Sequence, residues 1–304
     1  MVRQAVGSHL AWPRDMVIFP TVIKKKKVKE IPLSKAKSEL LCLQEEFDSA
    51  KTHKNVPSCF SLLYKHAKTF MKATRASLPI SCNTEVFGVE KIIFILHKNI
   101  IALLEYDMIG QSTIATYMAY LHTVVTENDD LDLFAFCDPG VTFSLNKGFE
   151  SYIVNWLKEG NVDRVFFLPH NENQHWILVI IWEGDIYIYN PLSHPHHFPK
   201  LEKALSSAIK TFNAETGRGN KPAKTKNLIG SPKQPGGHEC GYVVLCYMKK
   251  IISDREMTFR TKLEYGDEYG WVDWFLVVDM DVGCLLDVGM VKCWLSENAV
   301  GFWL

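Results

Sequence analysis

The chain has 304 residues, of which 47% are hydrophobic and 12% aromatic, so it can fill the core of one large or two modest domains. Its 34 Lys and Arg balance 34 Asp and Glu, and this neutrality does not favour nucleic acid or a membrane surface as a partner. The longest uninterrupted apolar runs have seven residues, against the ~20 that a membrane-spanning helix needs.

The spacing of the cysteines indicates the cellular compartment of the protein. The eight cysteines are scattered without a Cys-x-x-Cys pair, and the N-terminus lacks a signal-peptide pattern. We therefore expect reduced thiols and a nuclear or cytoplasmic location.

The N-terminal part of the chain divides into a polar and an apolar stretch. Residues 1–55 are Lys-rich and only patchily apolar, and we interpret them as an arm or linker. Four consecutive lysines at 24–27 favour a solvated segment over a nuclear-import or phosphate-binding patch. Residues 57–71 and 89–104 have the dense apolar content of a packed layer.

The middle of the chain alternates between helical and strand patterns. Apolar residues on one helical face predict a long core helix over 109–126, and a shorter helix is predicted over 145–158. Bulky apolar residues predict a strand at 165–168. Residues 176–182 and 186–189, separated by Glu-Gly-Asp, predict a β-hairpin with a Gly-bearing turn.

Beyond the hairpin, an amphipathic helix is predicted over 200–212, followed by a polar, Lys- and Gly-rich loop over 217–226. The stretch Cys-Gly-Tyr-Val-Val-Leu-Cys that begins at residue 240 can be helical, whereas Pro235 and Gly236 cannot. The thiol of Cys240 is thus expected at a helix N-terminus, where N–H groups lower a thiol pKa of about 8.5.

A base and an orienting group are available on the hairpin. His175 opens its first strand and Asn190 ends its second, so a short turn can bring the Asn190 amide beside the imidazole and select one tautomer. A neutral amide stabilises an imidazolium less than a carboxylate does. Gln234, six residues before Cys240, is a candidate oxyanion donor together with the Cys240 N–H.

Each of these residues also has a simpler interpretation. A cysteine beside glycine at the start of an apolar helix is often a core residue, and Trp176 on its own reads as a core aromatic. His194, His196 and His197 lack a Cys or carboxylate at ligand spacing, so we interpret them as loop residues and expect neither a metal site nor a cofactor.

Taken together, Asn-Gln-His-Trp at 173–176 and Gln-Pro-Gly-Gly-His-Glu-Cys-Gly-Tyr-Val-Val at 234–244 resemble the ubiquitin-like-protein-specific cysteine proteases, which include the SUMO proteases. With Phe87-Gly88 and Ile109-Gly110, they look most like the plant transposon-derived members. The resemblance covers roughly residues 57–252. It suggests a domain over 56–254 and leaves 255–304, rich in Trp, as a divergent tail that is either a partner-binding surface or an aberrant end.

The resemblance implies an α+β, papain-like fold of the adenain and SUMO-protease type, with a central mixed sheet flanked by helices. It implies Cys240 as nucleophile, His175 as base and Gln234 as oxyanion donor. Trp176 would form a wall over the scissile Gly-Gly, and Gly237 and Gly241 would be further substrate-binding residues. Family members usually carry Asp where this chain has Asn190, although papain-like proteases work with Cys-His-Asn.

Three functions follow as hypotheses. The first is a thiol peptidase or isopeptidase that cleaves after Gly-Gly of a SUMO-type modifier. The second is a degenerate protease that binds a ubiquitin-like protein without cleaving it, which Asn190 and the unusual C-terminal tail both favour. The third, a DNA-associated accessory protein that uses the lysines at 24–27, is not supported by the neutral net charge.

Overall fold

A computed structural model of the chain describes residues 61–142, 145, 148–160, 163–192, 197–219, 221–228, 233–234 and 236–254. The predicted arm at 1–55 and the predicted tail at 255–304 lie outside the described residues. The domain boundaries therefore stay predictions.

The helices are named in chain order. They are α1 (Ser61–His66), α2 (Lys72–Thr74), α3 (Thr84–Phe87), α4 (His97–Glu105), α5 (Gln111–Glu127), α6 (Pro139–Thr142), α7 (Phe149–Glu159), α8 (Pro199–Glu215) and α9 (Cys240–Ser253). A π-helical turn over Ala67–Met71 joins α1 to α2. The strands are β1 (Ser77–Cys82), β2 (Lys91–Leu96), β3 (Phe134–Phe136), β4 (Val165–Glu172), β5 (His175–Trp182), β6 (Asp185–Tyr189) and β7 (Thr225–Asn227).

A five-stranded mixed sheet in the order β3-β4-β5-β6-β7 forms the centre. Its edge strands β3 and β7 pair in parallel with β4 and β6, whereas β4, β5 and β6 are antiparallel neighbours. Strand β5 is the middle strand and is apolar from Trp176 to Trp182, as expected for a strand that is covered on both faces. Strands β1 and β2 form a separate antiparallel pair.

The sheet is covered by helices on both faces. Alternate residues of each strand point to opposite sides of the sheet, so each strand contributes to two cores. Leu178 and Ile180 of β5 join one core with α4, α5 and α9. Ile177 and Val179 join the other core with α7 and α8. The fold is thus the α+β arrangement with a central mixed sheet that the sequence predicted.

Most of the predicted elements are confirmed. The long core helix is α5, the amphipathic helix is α8, and the hairpin is β5 with β6. Its turn residues Glu183 and Gly184 have φ of 51° and 78°, as a type I′ turn requires. The second helix, α7, begins at Phe149 rather than 145. Among the described residues, no helix has the length and apolar character needed to cross a membrane.

Four strands, β1, β2, β3 and β7, were not predicted from the sequence. The predicted loop at 217–226 contains the start of β7, whose sequence Thr-Lys-Asn is polar and only partly buried. It is a strand because its backbone pairs with β6, a non-local interaction that its side chains do not signal. Strand β3 is apolar and buried but has only three residues, too few to show a periodic pattern. Strand β1 contains Pro79, a residue that argues against a strand.

Candidate active site

Cys240 is the first residue of α9, and its thiol is held against the central strand. The Sγ atom accepts a hydrogen bond from the backbone N–H of Trp176 at 3.4 Å, and Cys240 is only 3% exposed. Trp176 directly follows His175 on β5. The predicted position of the thiol at a helix N-terminus is therefore confirmed, and the thiol lies beside the start of the predicted histidine strand.

His175 is positioned by a tight turn. Asn173 and Gln174, with φ of 53° and 67°, form a two-residue connection between β4 and β5, and His175 is the first residue after it. Its Nε2 lies 2.8 Å from Oδ1 of Asn190, which directly follows β6. Since an amide oxygen only accepts, Nε2 carries the hydrogen and Nδ1 is left with the lone pair of a base. The predicted contact between the two side chains is confirmed.

Burial raises the pKa of the Cys240 thiol above its ordinary value. Hydrogen bonds from the N–H groups of Trp176, Gly241 and Cys240 act against this by favouring thiolate, and the Glu239 carboxylate adds to the rise. The predicted lowering of the pKa is therefore wrong in its net direction, because desolvation outweighs the N–H groups of the helix start. The resting site favours a neutral thiol.

The backbone of Gln234 lies next to the segment that carries Asn190. Its N–H donates to the carbonyl of Pro191 at 2.8 Å, and Pro191 follows Asn190. The side-chain Nε2 donates to the carbonyl of Gly236 at 2.6 Å, while Oε1 is buried without a hydrogen-bond partner. The amide thus lies near the site, with one hydrogen engaged and an acceptor unsatisfied.

The predicted substrate-contacting residues differ in their surroundings. Trp176 is 4% exposed and Gly241 is buried, and both pack against Ile109. Gly237 is exposed, and open space surrounds the place where a side chain would stand. The structure therefore gives Trp176 and Gly241 packing contacts, and contact of these three residues with a substrate stays a prediction.

Two further residues at the site were not found from the sequence. Lys233 donates from Nζ to the carbonyl of Asn190 at 3.1 Å, and burial lowers its pKa. Tyr242, two residues after Cys240, is fully buried and bonds the end of α4. The sequence indicated these two residues only by their position, since Lys233 precedes Gln234 and Tyr242 lies close to Cys240. Their contacts could not be predicted because they are made to segments distant in the chain.

Within the described ranges, no three His, Cys, Asp or Glu side chains come together as metal ligands would. Of the three histidines weighed in the loop after β6, His197 is described and exposed, whereas His194 and His196 lie outside the described residues.

A solved structure with a TM-score above 0.5 supports the fold. A protein described as a de-sumoylating protease is 13% identical, with a TM-score of 0.52 over 72% of this chain and 88% of its own. The Ulp1 protease domain in complex with Smt3, the yeast orthologue of SUMO, is 17% identical, with a TM-score of 0.41 over 67% of this chain and 88% of its own. A Ulp1-like SUMO protease catalytic domain from Chaetomium thermophilum is 12% identical, with a TM-score of 0.40 over 64% and 79%. No curated protein matches the chain.

The family model described as the Ulp1 protease family, C-terminal catalytic domain, matches residues 107–267. The matched region is more than half of the 304-residue chain and contains His175, Asn190, Gln234 and Cys240. The narrower prediction of a plant transposon-derived type stays a prediction. With a matching fold and with Cys240, His175 and Asn190 gathered at one end of the central strand, the chain belongs to the Ulp1 protease family.

Proposed function

We propose that the protein is a thiol peptidase or isopeptidase that cleaves after Gly-Gly at the C-terminus of a SUMO-type modifier by a Cys-His-Asn mechanism. The observation that carries the proposal is the pair of contacts at the start of β5. There the imidazole of His175 bonds Asn190, and the next residue, Trp176, donates its N–H to the Cys240 sulfur. Family membership and relatives described as SUMO proteases support the choice of substrate.

The first half of the reaction is acyl transfer. His175 Nδ1 takes the proton of the Cys240 thiol while the sulfur attacks the carbonyl carbon of the terminal glycine. The Cys240 N–H and a Gln234 Nε2 hydrogen stabilise the oxyanion of the tetrahedral intermediate. When the C–N bond breaks, the proton on His175 passes to the leaving amine, and a thioester remains on Cys240.

The second half regenerates the enzyme. A water molecule gives one proton to His175 Nδ1 and attacks the thioester carbonyl, and the C–S bond then breaks. The sulfur recovers its proton from His175, and the modifier leaves as a carboxylic acid that loses its remaining proton to solvent. Throughout, the hydrogen bond to Asn190 keeps a hydrogen on Nε2 of His175, so Nδ1 is the nitrogen that accepts and releases the proton.

The raised thiol pKa specifies how the first step is driven. Because burial favours the neutral thiol and Asn190 lacks the charge that would stabilise an imidazolium, the resting site does not favour a thiolate–imidazolium pair. Proton transfer therefore accompanies attack on the bound substrate, with His175 acting as a general base.

The test is covalent capture by a SUMO-type modifier that carries a C-terminal propargylamide. We expect the full-length wild-type chain to form an adduct that retains the modifier, and Cys240→Ala to form none. Cys246→Ala, which changes another thiol of the same helix, serves as the matched control and should still form the adduct. Absence of an adduct on wild type, or its survival in Cys240→Ala, would rule out the proposal.

A binding function without turnover is favoured by two observations. Asn190 is neutral, and an Nε2 hydrogen of Gln234 is already bonded to the carbonyl of Gly236. Asn190→Asp separates the two functions, because a carboxylate stabilises the imidazolium better than an amide does. A large gain in turnover indicates a slow enzyme, whereas binding of the modifier with no turnover in either form indicates a binding module.

A further inference from the structure

The connection between α4 and α5, residues 106–110, touches both elements that carry the proposed catalytic pair. It begins with Tyr106, a non-glycine residue with φ of 58° that ends α4, and leads to Gly110 before α5. Helix α9 reaches this connection through Tyr242, and strand β5 reaches it through Trp176. The connection is therefore shared by the cysteine helix and the histidine strand.

Tyr242 holds the start of the connection. Its hydroxyl lies 3.0 Å from the carbonyl oxygens of Ala102 and Asp107 and 3.3 Å from that of Leu103. The carbonyl of Ala102 also accepts from the backbone N–H groups of Tyr106 and Asp107, so the Tyr242 hydroxyl is an additional donor to the end of α4, supplied by another element. With one hydrogen to donate, the hydroxyl is shared among the three oxygens. Tyr242 is fully buried, so its hydroxyl is shielded from solvent.

Ile109 holds the end of the connection against both sides of the site. Its carbonyl accepts a hydrogen bond from Nε1 of Trp176 at 2.9 Å. Its side chain lies where a Cβ on Gly241 would stand, and that Cβ would also lie 3.3 Å from Cδ1 of Trp176. The absent side chain of Gly241 is what lets Ile109 fill the space between α9 and β5.

We propose that Tyr242 is a positioning residue that fixes Cys240 relative to His175 through this connection. Tyr242 ties α9 to the start of the connection, and Trp176 ties β5 to its end. A shift of α9 along β5 would break the contacts at both places. The inference rests on the proposed function, since it assigns a role in aligning the thiol with the base.

The test measures alkylation of Cys240 by iodoacetamide, mapped by mass spectrometry from pH 6 to 9 on the full-length chain. A His175-dependent part of the rate is defined as the part that His175→Ala removes. We expect Tyr242→Phe to lower this part about tenfold at pH 7 and to make its pH profile resemble that of His175→Ala. Because no modifier is involved, the readout is independent of substrate recognition.

Tyr152→Phe is the matched control. The Tyr152 hydroxyl also bonds backbone groups, with the carbonyl of Phe87 at 2.7 Å and the N–H of Asp138 at 2.8 Å, but it belongs to the core on the opposite face of the sheet. Both variants lose a buried hydroxyl, so both should melt at a lower temperature. Only Tyr242→Phe should change the pH profile of Cys240.

A second pair of variants tests the connection without touching the hydroxyl. Gly241→Ala should reduce the His175-dependent rate, because the new Cβ displaces Ile109. Adding Ile109→Ala removes the overlapping atoms and should restore at least half of the lost rate.

Two results would overturn the inference. An unchanged Cys240 profile in folded Tyr242→Phe would leave Tyr242 a purely structural role. A wild-type profile identical to that of His175→Ala would show that there is no alignment to maintain, and it would count against the catalytic pair itself. If the wild-type chain is captured by the modifier but the pH profile of Cys240 alkylation is unaltered in Tyr242→Phe, the inference is contradicted and the proposed function stands.

Discussion

Two regions of the protein bury thiols, and the groups around each sulfur differ. Cys240 and Cys82 are 3% and 2% exposed, so desolvation raises the pKa of both. Around Cys240, three backbone N–H groups point at the sulfur and favour thiolate. Around Cys82, the opposing effect comes from the Lys91 ammonium, while Asp138 adds to the rise and the pKa reaches about 11.

The comparison shows that burial of a thiol and stabilisation of its thiolate are separate properties. Cys137, fully buried beside Asp138, has its pKa raised further, because desolvation and the carboxylate act in the same direction. A reactive cysteine is distinguished from these structural ones by oriented donors and a base within reach rather than by exposure. In this protein only the start of α9 among the described cysteine sites combines backbone donors with a histidine strand.

The largest effect expected from this comparison is in thiol reactivity. Under native conditions at pH 8, iodoacetamide should modify Cys240 at least ~100-fold faster than Cys82 or Cys137, because its thiolate is stabilised by N–H groups. Peptide mapping gives the three rates, and labelling in denaturant, where all thiols should react alike, is the control. Comparable native rates for Cys82 and Cys240 would contradict the comparison.

Asp138 organises the second region, and its removal should destabilise the fold. Its carboxylate accepts from Lys91 Nζ at 2.7 Å and from the Gly140 N–H at 2.8 Å, and the residue is 5% exposed. Asp138→Ala should lower the free energy of unfolding by about 3 kcal/mol, because it leaves a partly buried ammonium without its partner. Urea denaturation measures this change.

Asp132→Ala is the control for Asp138→Ala. Asp132 pairs with Arg164 at 3.3 Å, but its side chain is 94% exposed. An exposed pair of this kind contributes ~0–1 kcal/mol. Equal losses in the two variants would show that burial does not set the contribution of these pairs.

The Cys82 thiol should make stability depend on alkaline pH. Its pKa is raised from 9.0 to about 11 in the folded protein, so its contribution is fully present below pH 9 and is lost as the pH rises to 11. Cys82→Ala should make the decline between pH 9 and 11 shallower by about 2 to 3 kcal/mol. Unfolding free energies across this range provide the measurement, and the difference at pH 7 reports the lost packing. Parallel wild-type and variant curves would contradict the prediction.

The smallest effect concerns Asn190, the neutral residue of the proposed triad. Asn190→Ala removes the acceptor of His175 Nε2 and of the Leu192 N–H at 3.0 Å, so the His175-dependent alkylation of Cys240 should fall about tenfold, or about 1.4 kcal/mol. Asn213→Ala, which removes a side chain bonded to the Lys221 carbonyl at 3.2 Å on α8, should leave the rate unchanged. An unaltered rate in Asn190→Ala would mean that the imidazole is oriented by other contacts.

Local sequence patterns predicted the elements that carry the site. The apolar run with an adjacent turn located β5 and β6, and the Pro-Gly-Gly segment before an apolar helix located Cys240 at the start of α9. These predictions succeeded because periodicity and turn chemistry act within a few residues. The order of His175, Asn190, Gln234 and Cys240, which carried the family resemblance, is likewise written in the chain.

Tertiary structure alone decided the environment of these residues. The direction of the Cys240 pKa depends on how much protein covers the thiol, and the Gln234 amide bonds a carbonyl that its own loop presents. The Tyr242 hydroxyl meets the carbonyl of Asp107 across 135 residues of sequence. Burial and long-range hydrogen bonds arise only when separate elements pack, so the sequence by itself determined which groups stand at the site, and the packing determined their charge state and alignment.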